Sequence, residues 1–177
     1  KMGSIYMEKV FGISKPKVGI VNIGAEEEKG NALVKETFPL LKMSKDINFI
    51  GSVEAREIPS GDCDVIVCEA FTGNVILKLY EGVGKTLLSE IKSALTEGFV
   101  TKIGALLIKS ALKSKLKKFD TSEQGQGGAP MLGLKGLVIK AHGNSKASEI
   151  SKAILQCISF DEQNITSLIE ESMLKAE

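Results

Sequence analysis

Four short apolar runs limit what this chain can fold into more than any other feature of its sequence. They are rich in β-branched residues and cover residues 17–23, 47–50, 64–68 and 137–140. Continuous apolar runs of this length are typical of buried strands in a parallel sheet. Longer segments with helical apolar spacing lie between them. Strands that alternate with helices predict an α/β fold with a mostly parallel sheet.

The segments outside these runs predict the helices. We expect them over residues 1–13, 31–43, 72–97, 100–119 and 146–174. The core candidates of the second helix are Leu33, Val34, Leu40 and Leu41. Thr72 is the predicted N-cap of the third helix, because a threonine hydroxyl can accept a hydrogen bond from the first helical turn. The glycine-dense segment 125–133 fits no regular element.

Composition excludes several classes of protein. The 177 residues fit one domain or part of a larger one, and 43% hydrophobic residues are enough for a core, which excludes intrinsic disorder. The 23 basic and 22 acidic residues leave a net charge of +1. A dedicated nucleic-acid binder needs a basic surplus for its phosphate contacts, so we expect no nucleic-acid partner.

Three cysteines at irregular spacing and a single histidine predict neither a disulfide framework nor a metal site. Apolar runs stay shorter than the roughly 20 residues that span a bilayer, and no signal peptide is recognisable. We therefore expect a soluble cytoplasmic protein, for which contact with a membrane surface stays open.

Nucleotide-binding motifs are not predicted. The triplet Gly84-Lys85-Thr86 resembles the end of a P-loop, but Leu79 stands where that motif needs a glycine. The triplet also falls inside a predicted helix. No G-x-G-x-x-G opens a helix, so we expect no dinucleotide and no other cofactor.

Three loops follow predicted strands and define a candidate site. In parallel sheets, ligands gather beyond the carboxyl ends of the strands. Those positions are residues 23–30, 69–74 and 141–145, and we expect them to meet at one edge of the sheet. The placement predicts a site without saying what binds there.

Each loop offers a functional residue with a plain structural alternative. Thr72-Gly73-Asn74 could present backbone N–H groups to an anion, or Thr72 could only cap the helix. Lys29 could deliver a cation to an anionic ligand, or belong to a solvated charge run. His142 could transfer a proton near neutral pH, or only hydrogen-bond within its turn. The residues alone favour the structural alternative in each case.

Residues 99–119 carry six lysines and no acid, together with an apolar stripe. A basic amphipathic helix can lie in a membrane interface, with its lysines toward anionic lipid. The stripe could equally pack on a partner subunit or on the chain's own core. The predicted contact residues are Ile103, Leu107, Ile108, Leu112, Lys113 and Lys117.

Six segments, taken in order, resemble the PlsX family, the bacterial phosphate acyltransferases of phospholipid synthesis. They are residues 18–24, 28–31, 47–51 with 53–56, 71–75, 127–130 and 138–143. The resemblance implies that acyl-(acyl carrier protein) and orthophosphate give acyl phosphate and free carrier protein. It also implies a three-layer fold like isocitrate and isopropylmalate dehydrogenases, a homodimer, and a cytoplasmic location with peripheral membrane association.

The resemblance also assigns roles to the loop residues. The implied catalytic residues are Lys29, Asn74 and His142, and the implied phosphate-binding residues are Thr72, Gly73 and Lys140. Lys29 would offset phosphate charge, Asn74 would donate a hydrogen bond to phosphate or to the oxyanion, and His142 would move a proton. Lys140 is a weaker electrostatic candidate.

The chain departs from the family pattern in one large respect. Family members begin with another half that opens on a glycine-rich motif, and it is not in this sequence. We therefore expect residues 1–177 to be a C-terminal portion, inactive alone, in which residues 76–119 form a protruding helical pair for dimer or membrane contact. Two alternatives stay open: a phosphate acetyl- or butyryltransferase relative that uses acyl-coenzyme A, and a non-catalytic dimerisation or lipid-surface module.

Overall fold

The computed structural model describes residues 1–116 and 127–174. The chain is α/β and divides into two compact units. The first comprises Lys1–Glu69 with Gln126–Glu177, and the second is Ala70–Gly125. Each unit is described by itself below.

The first unit contains most of the elements. Its helices are α1 (Met2–Phe11), α2 (Ala32–Met43), α5 (Ala147–Glu162) and α6 (Ile165–Leu174). Its strands are β1 (Lys17–Asn22), β2 (Asn48–Glu54), β3 (Val65–Val67), β4 (Ala129–Pro130) and β5 (Ile139–Lys140). A 3-10 turn, Ile58–Ser60, lies between β2 and β3.

The first three strands form a parallel sheet with β1 in the centre and β2 and β3 on either side. Val18 and Ile20 of β1 are buried, as expected for a central strand covered on both faces. Asn22 pairs in register with Glu54. The carboxyl ends of β1 and β2 therefore lie side by side, which confirms a parallel sheet built from the first three apolar runs.

The fourth apolar run does not join this sheet. Only Ile139–Lys140 is a strand, and it pairs antiparallel with Ala129–Pro130 in a separate two-stranded sheet. Gly128 permits the pairing, because a Cβ there would lie 2.7 Å from Ile139 Cγ2 and 2.8 Å from the carbonyl oxygen of Lys140. The prediction that residues 141–145 follow a strand of the parallel sheet is therefore wrong.

The last predicted helix is in fact two. The helix α5 ends at Glu162, and α6 begins at Ile165. Asn164 between them has φ 51°, a left-handed conformation that asparagine tolerates better than most residues and that stops an α-helix. The break allows Ile165 and Ile169 to be buried with Phe160 in one cluster, against which residues of α1 pack.

The core face of α2 also differs from the prediction. Phe38 is its buried residue and makes an edge contact with Phe49 of β2, with ring centroids 5.1 Å apart. Leu33 and Leu40, predicted for the core, are 50% and 64% exposed. The apolar spacing allows either of two faces of this helix to be buried. The contact of Phe38 with Phe49 of β2 determines which of them is.

The second unit contains two helices that pack on each other, α3 (Ala70–Thr96) and α4 (Phe99–Leu116). Gly84-Lys85-Thr86 lies in the interior of α3, with Gly84 buried, which confirms that this triplet is not a P-loop. Among residues 1–116 and 127–174, no helix combines the length and the apolar character needed to cross a membrane.

Candidate functional site

Asn22 organises the carboxyl edge of the parallel sheet. Its side chain is 5% exposed and donates hydrogen bonds to the carbonyl oxygen of Lys29 at 3.2 Å and to Ser52 Oγ at 3.0 Å. Its Oδ1 accepts the Ile23 N–H at 2.8 Å. One buried amide therefore joins the end of β1, the neighbouring strand β2 and the far end of the 23–30 loop.

Lys29 lies in this loop as a charged group with a near counterion. Its Nζ is 2.7 Å from Glu26 Oε1, and that hydrogen bond raises the pKa of Lys29 above its usual value, with Glu54 and Glu28 adding to the effect. The same hydrogen bond from Lys29 lowers the pKa of Glu26. The pair is therefore ionised near neutral pH, and another anion at Lys29 would either share its ammonium with Glu26 or displace Glu26.

Two glycines lie where the loop folds closely, and Gly30 is the one that its backbone conformation requires, since the Lys29 side chain near Gly24 can move aside. A Cβ on Gly24 would lie 2.6 Å from Lys29 Cδ and 2.9 Å from its Nζ. Gly30 has φ +104°, and a Cβ there would lie 2.7 Å from Asn22 Oδ1. Immediately afterwards, the Asn31 side chain accepts the Val34 N–H at 2.9 Å and caps α2.

The structure corrects the prediction for Thr72. The helix α3 already begins at Ala70, so Thr72 is its third residue rather than its N-cap. Gly73 is the fourth residue, where the helix's own hydrogen bonds begin. Asn74 is exposed on the second turn. The helix starts almost directly after β3 and leaves no separate turn at residues 72–74.

Lys140 and His142 belong to the first unit, on and just after the separate two-stranded sheet. Both side chains are exposed. His142 Nδ1 accepts the Asn144 N–H at 3.3 Å, and the His142 carbonyl accepts the Ser145 N–H at 3.0 Å. These bonds are those of the structural alternative, and a role in proton transfer stays a prediction.

The structure therefore brings Lys29 together with three residues that the sequence did not single out, namely Asn22, Glu26 and Ser52. Asn74 lies in the second unit, and Lys140 with His142 follows the other sheet. The sequence did contain an indication that Asn22 belongs to the site, because a polar side chain at the end of an apolar strand lies where ligands of parallel sheets gather. Its burial depends on Ser52 and could not be deduced from local sequence.

The predicted contact residues of α4 lie on more than one of its faces. Leu112 and Lys113 line a groove of about 520 Å³ between α3 and α4. Ile103, Leu107 and Ile108 are exposed and do not line it; Leu107 is 80% exposed. The remaining groove residues are Leu88, Ile91, Lys92, Leu95, Thr96, Lys102, Ala105, Leu106, Lys109 and Leu116. Lys117, the last predicted contact residue, lies outside the described residues.

In the part of the chain that the structure describes, no three His, Cys, Asp or Glu side chains are grouped so that they could hold a metal ion. The ionisable groups described at the sheet edge are Lys29 and Arg56 with carboxylates beside them, Glu26 at Lys29 and Glu54 at Arg56. The two cations can offer charge and hydrogen bonds to a small anion, in competition with the carboxylates that they already contact.

Comparison with known proteins identifies relatives over nearly the whole chain. The model of the family described as fatty acid synthesis protein matches residues 1–168. A phosphate acyltransferase of Clostridium perfringens (strain SM101 / Type A) is 50% identical over 175 residues, which are 99% of this chain and 51% of the relative. Those of Thermoanaerobacter pseudethanolicus and Alkaliphilus oremlandii are 51% and 54% identical over 172 residues each, covering 97% of this chain and 51% and 50% of the relatives. The chain thus spans about half the length of the curated relatives it matches.

Proposed function

The chain belongs to the fatty acid synthesis protein family, the PlsX family that its motifs resemble, and from that membership we propose that it is part of a phosphate acyltransferase. The proposed reaction transfers an acyl group from the thioester of acyl-(acyl carrier protein) to orthophosphate. The products are acyl phosphate and the carrier protein with its thiol. The three relatives described above all carry the name phosphate acyltransferase, which supports this activity.

The observation that carries the proposal is the setting of Lys29. The lysine lies at the carboxyl edge of the parallel sheet, where ligands of such sheets bind. Its ammonium is charged near neutral pH, as for any exposed lysine, and the hydrogen bond to Glu26 raises its pKa further. Its backbone is held by the buried Asn22. A small anion such as phosphate is the ligand that this arrangement fits.

The chemistry requires little covalent help from the protein. A phosphate oxygen attacks the thioester carbonyl carbon, the C–S bond then breaks, and the sulfur departs as a thiolate. Catalysis can rest on positioning two anionic reactants and stabilising the oxyanion. In this proposal Lys29 offsets phosphate charge, and Asn74, with Thr72 and Gly73 beside it, donates hydrogen bonds to phosphate or oxyanion.

The proton has two proposed routes. His142 is proposed to take it from phosphate or to give it to the departing sulfur, because an imidazole nitrogen can accept or donate a proton. Nδ1 accepts the Asn144 N–H, which places the proton of the neutral ring on Nε2. Nε2 is therefore the proposed donor, and a proton taken from phosphate would go to Nδ1 in exchange for the Asn144 hydrogen bond. Lys140, two residues earlier, adds positive charge.

Substitution of Lys29 and Asn74 tests this function. In an enzyme of full family length that contains this chain, Lys29→Ala and Asn74→Ala should each lower phosphate-dependent turnover by about 10²- to 10³-fold, as expected for groups that stabilise developing charge. Lys42→Ala is the matched control, because Lys42 is an exposed lysine paired with Glu27 of the same loop. Turnover is measured as thiol released from the thioester, and thermal unfolding checks the fold. Normal rates in both site variants would remove these roles.

The identity of the acyl donor is tested separately. We propose acyl-(acyl carrier protein), and the alternative is acyl-coenzyme A as used by phosphate acetyl- and butyryltransferases. The enzyme should show a higher kcat/KM for the carrier-protein thioester than for a coenzyme A thioester with the same acyl chain. The opposite preference would favour the alternative.

The helical pair of residues 76–119 is a second proposed functional surface. Its exposed apolar side chains, together with the lysines of residues 99–119, a stretch without acidic residues, support dimerisation or contact with the cytoplasmic face of an anionic membrane. Replacing Lys109 and Lys113 by glutamate should abolish co-sedimentation with anionic vesicles, and zwitterionic vesicles serve as the control, with which the two proteins should behave alike. Sedimentation velocity of the same variants measures their oligomeric state and so shows whether the surface forms a homodimer instead of contacting a membrane.

A further inference from the structure

We propose that Asn22 is a positioning residue that sets the affinity for phosphate through Lys29. This inference rests on the proposed phosphate-binding role of Lys29. It assigns a function to a side chain to which neither the sequence motifs nor the family name gives one.

The contacts of Asn22 place it directly beneath the lysine. Its carboxamide nitrogen donates to the Lys29 carbonyl at 3.2 Å and to Ser52 Oγ at 3.0 Å. One amide thus ties the Lys29 backbone to the rigid parallel pair β1 and β2. The bond to the backbone fixes where the lysine leaves the loop, while its ammonium stays free to exchange Glu26 for another anion.

The chain on either side of Lys29 depends on the same anchor. Before it, the Lys29 N–H donates to the Glu26 carbonyl at 3.2 Å and closes a turn. After it, Gly30 passes so close to Asn22 Oδ1 that a Cβ would lie at 2.7 Å. An amide that is 5% exposed has little access to water as a substitute partner, so its removal leaves the Lys29 carbonyl without this donor and loosens the loop.

The test is a double-mutant cycle in an enzyme of full family length. We expect Asn22→Ala to raise the KM for phosphate about three- to tenfold, the amount that one lost hydrogen bond represents, with the KM for the acyl thioester unchanged. In the Lys29→Ala background the same substitution should raise the KM for phosphate no further, because an effect transmitted through the lysine disappears with it.

Asn48→Ala is the matched control. Asn48 also donates its side-chain amide to a lysine carbonyl, that of Lys15 at 3.1 Å, but it does so at the opposite end of the same sheet. Its removal should leave the KM for phosphate unchanged. A side chain that only stabilises the sheet should have the same effect on the KM for phosphate at either end of the sheet.

Every result decides the proposal. A folded Asn22→Ala enzyme with a normal KM for phosphate, or with the same rise in the Lys29→Ala background, overturns it and leaves the proposed function intact. A normal KM for phosphate in Lys29→Ala overturns the proposed role of Lys29 and this inference with it, whereas absence of phosphate-dependent turnover in the unsubstituted enzyme overturns the proposed function. Should Asn22→Ala not fold, Ser52→Ala replaces it in the cycle. It removes the other partner of the amide, and a smaller rise that vanishes without Lys29 is the supporting result.

Discussion

At the scale of single residues, Glu26 occupies the place at Lys29 that an anionic ligand would take. The two groups form an exposed ion pair of 2.7 Å, and pairs of this kind contribute little to stability. A phosphate ion and Glu26 would therefore compete for one ammonium group. In the proposed site, Glu26 sets how readily the lysine accepts a ligand.

We therefore predict that Glu26→Gln lowers the KM for phosphate, by about two- to fivefold given the small energy of an exposed pair. The pKa of Glu26 is below its ordinary value, so its carboxylate competes throughout the neutral range and the gain should not depend on pH between about 6 and 8. Steady-state kinetics at three pH values measure it. Glu27→Gln, which affects the pair with Lys42, is the control and should change nothing; an unchanged or higher KM in Glu26→Gln contradicts the prediction.

At the scale of elements, the sequence predicted what depends on local periodicity. The first three strands form the parallel sheet as expected, and α2 begins beside its Asn31 cap. The prediction from sequence failed where contacts with a distant part of the chain decide the structure. The strand Ile139–Lys140 takes its register from Ala129–Pro130. The predicted start of α3 at Thr72 was also wrong, since the helix begins at Ala70. The sequence predicted the positive charge at Lys29. It could not predict the burial of Asn22, because that burial requires β2 beside β1.

The glycine-dense segment owes part of its composition to the close approach of α5. Gly127 has φ +85°, and a Cβ there would collide with the Ala153 nitrogen and the Glu149 carbonyl oxygen. Both are backbone atoms of a helix and cannot turn aside as a side chain can. The first glycine of Gly127-Gly128-Ala129-Pro130 is therefore a packing requirement of the fold, whatever else the motif does.

We predict that Gly127→Ala lowers the free energy of unfolding by about 2 to 5 kcal/mol, combining backbone strain with overpacking. Urea denaturation of the 177-residue chain, followed by circular dichroism, measures the loss. Gly136→Ala, just beyond that segment, is the control, since a Cβ there meets no atom within 4 Å, and its effect should stay within about 0.5 kcal/mol. Equal midpoints for the two variants would show that α5 does not lie against Gly127 in solution.

At the scale of the whole molecule, the described residues leave apolar surface uncovered. Leu33, Leu40 and Met43 of α2 are all at least half exposed, although their helix packs on a buried sheet. The chain spans about half the length of the relatives it matches. An uncovered helix face in a chain of half the family length is what we expect where a further segment packs in the longer protein.

The last prediction follows from that surface. The purified 177-residue chain should form no acyl phosphate, because positioning a carrier-bound thioester against phosphate needs both walls of a cleft. Turnover should appear when the chain is joined to the rest of a relative's length, and the joined protein carrying Lys29→Ala should lose most of it. Acyl phosphate is trapped with hydroxylamine, and thiol release is followed in parallel, with and without phosphate. Acyl phosphate formed by the chain alone would show that the residues of this half suffice for the reaction.

Leu40→Glu should separately hinder the joined protein from folding. It should leave the unfolding midpoint of the 177-residue chain nearly unchanged, since Leu40 is already in contact with solvent there.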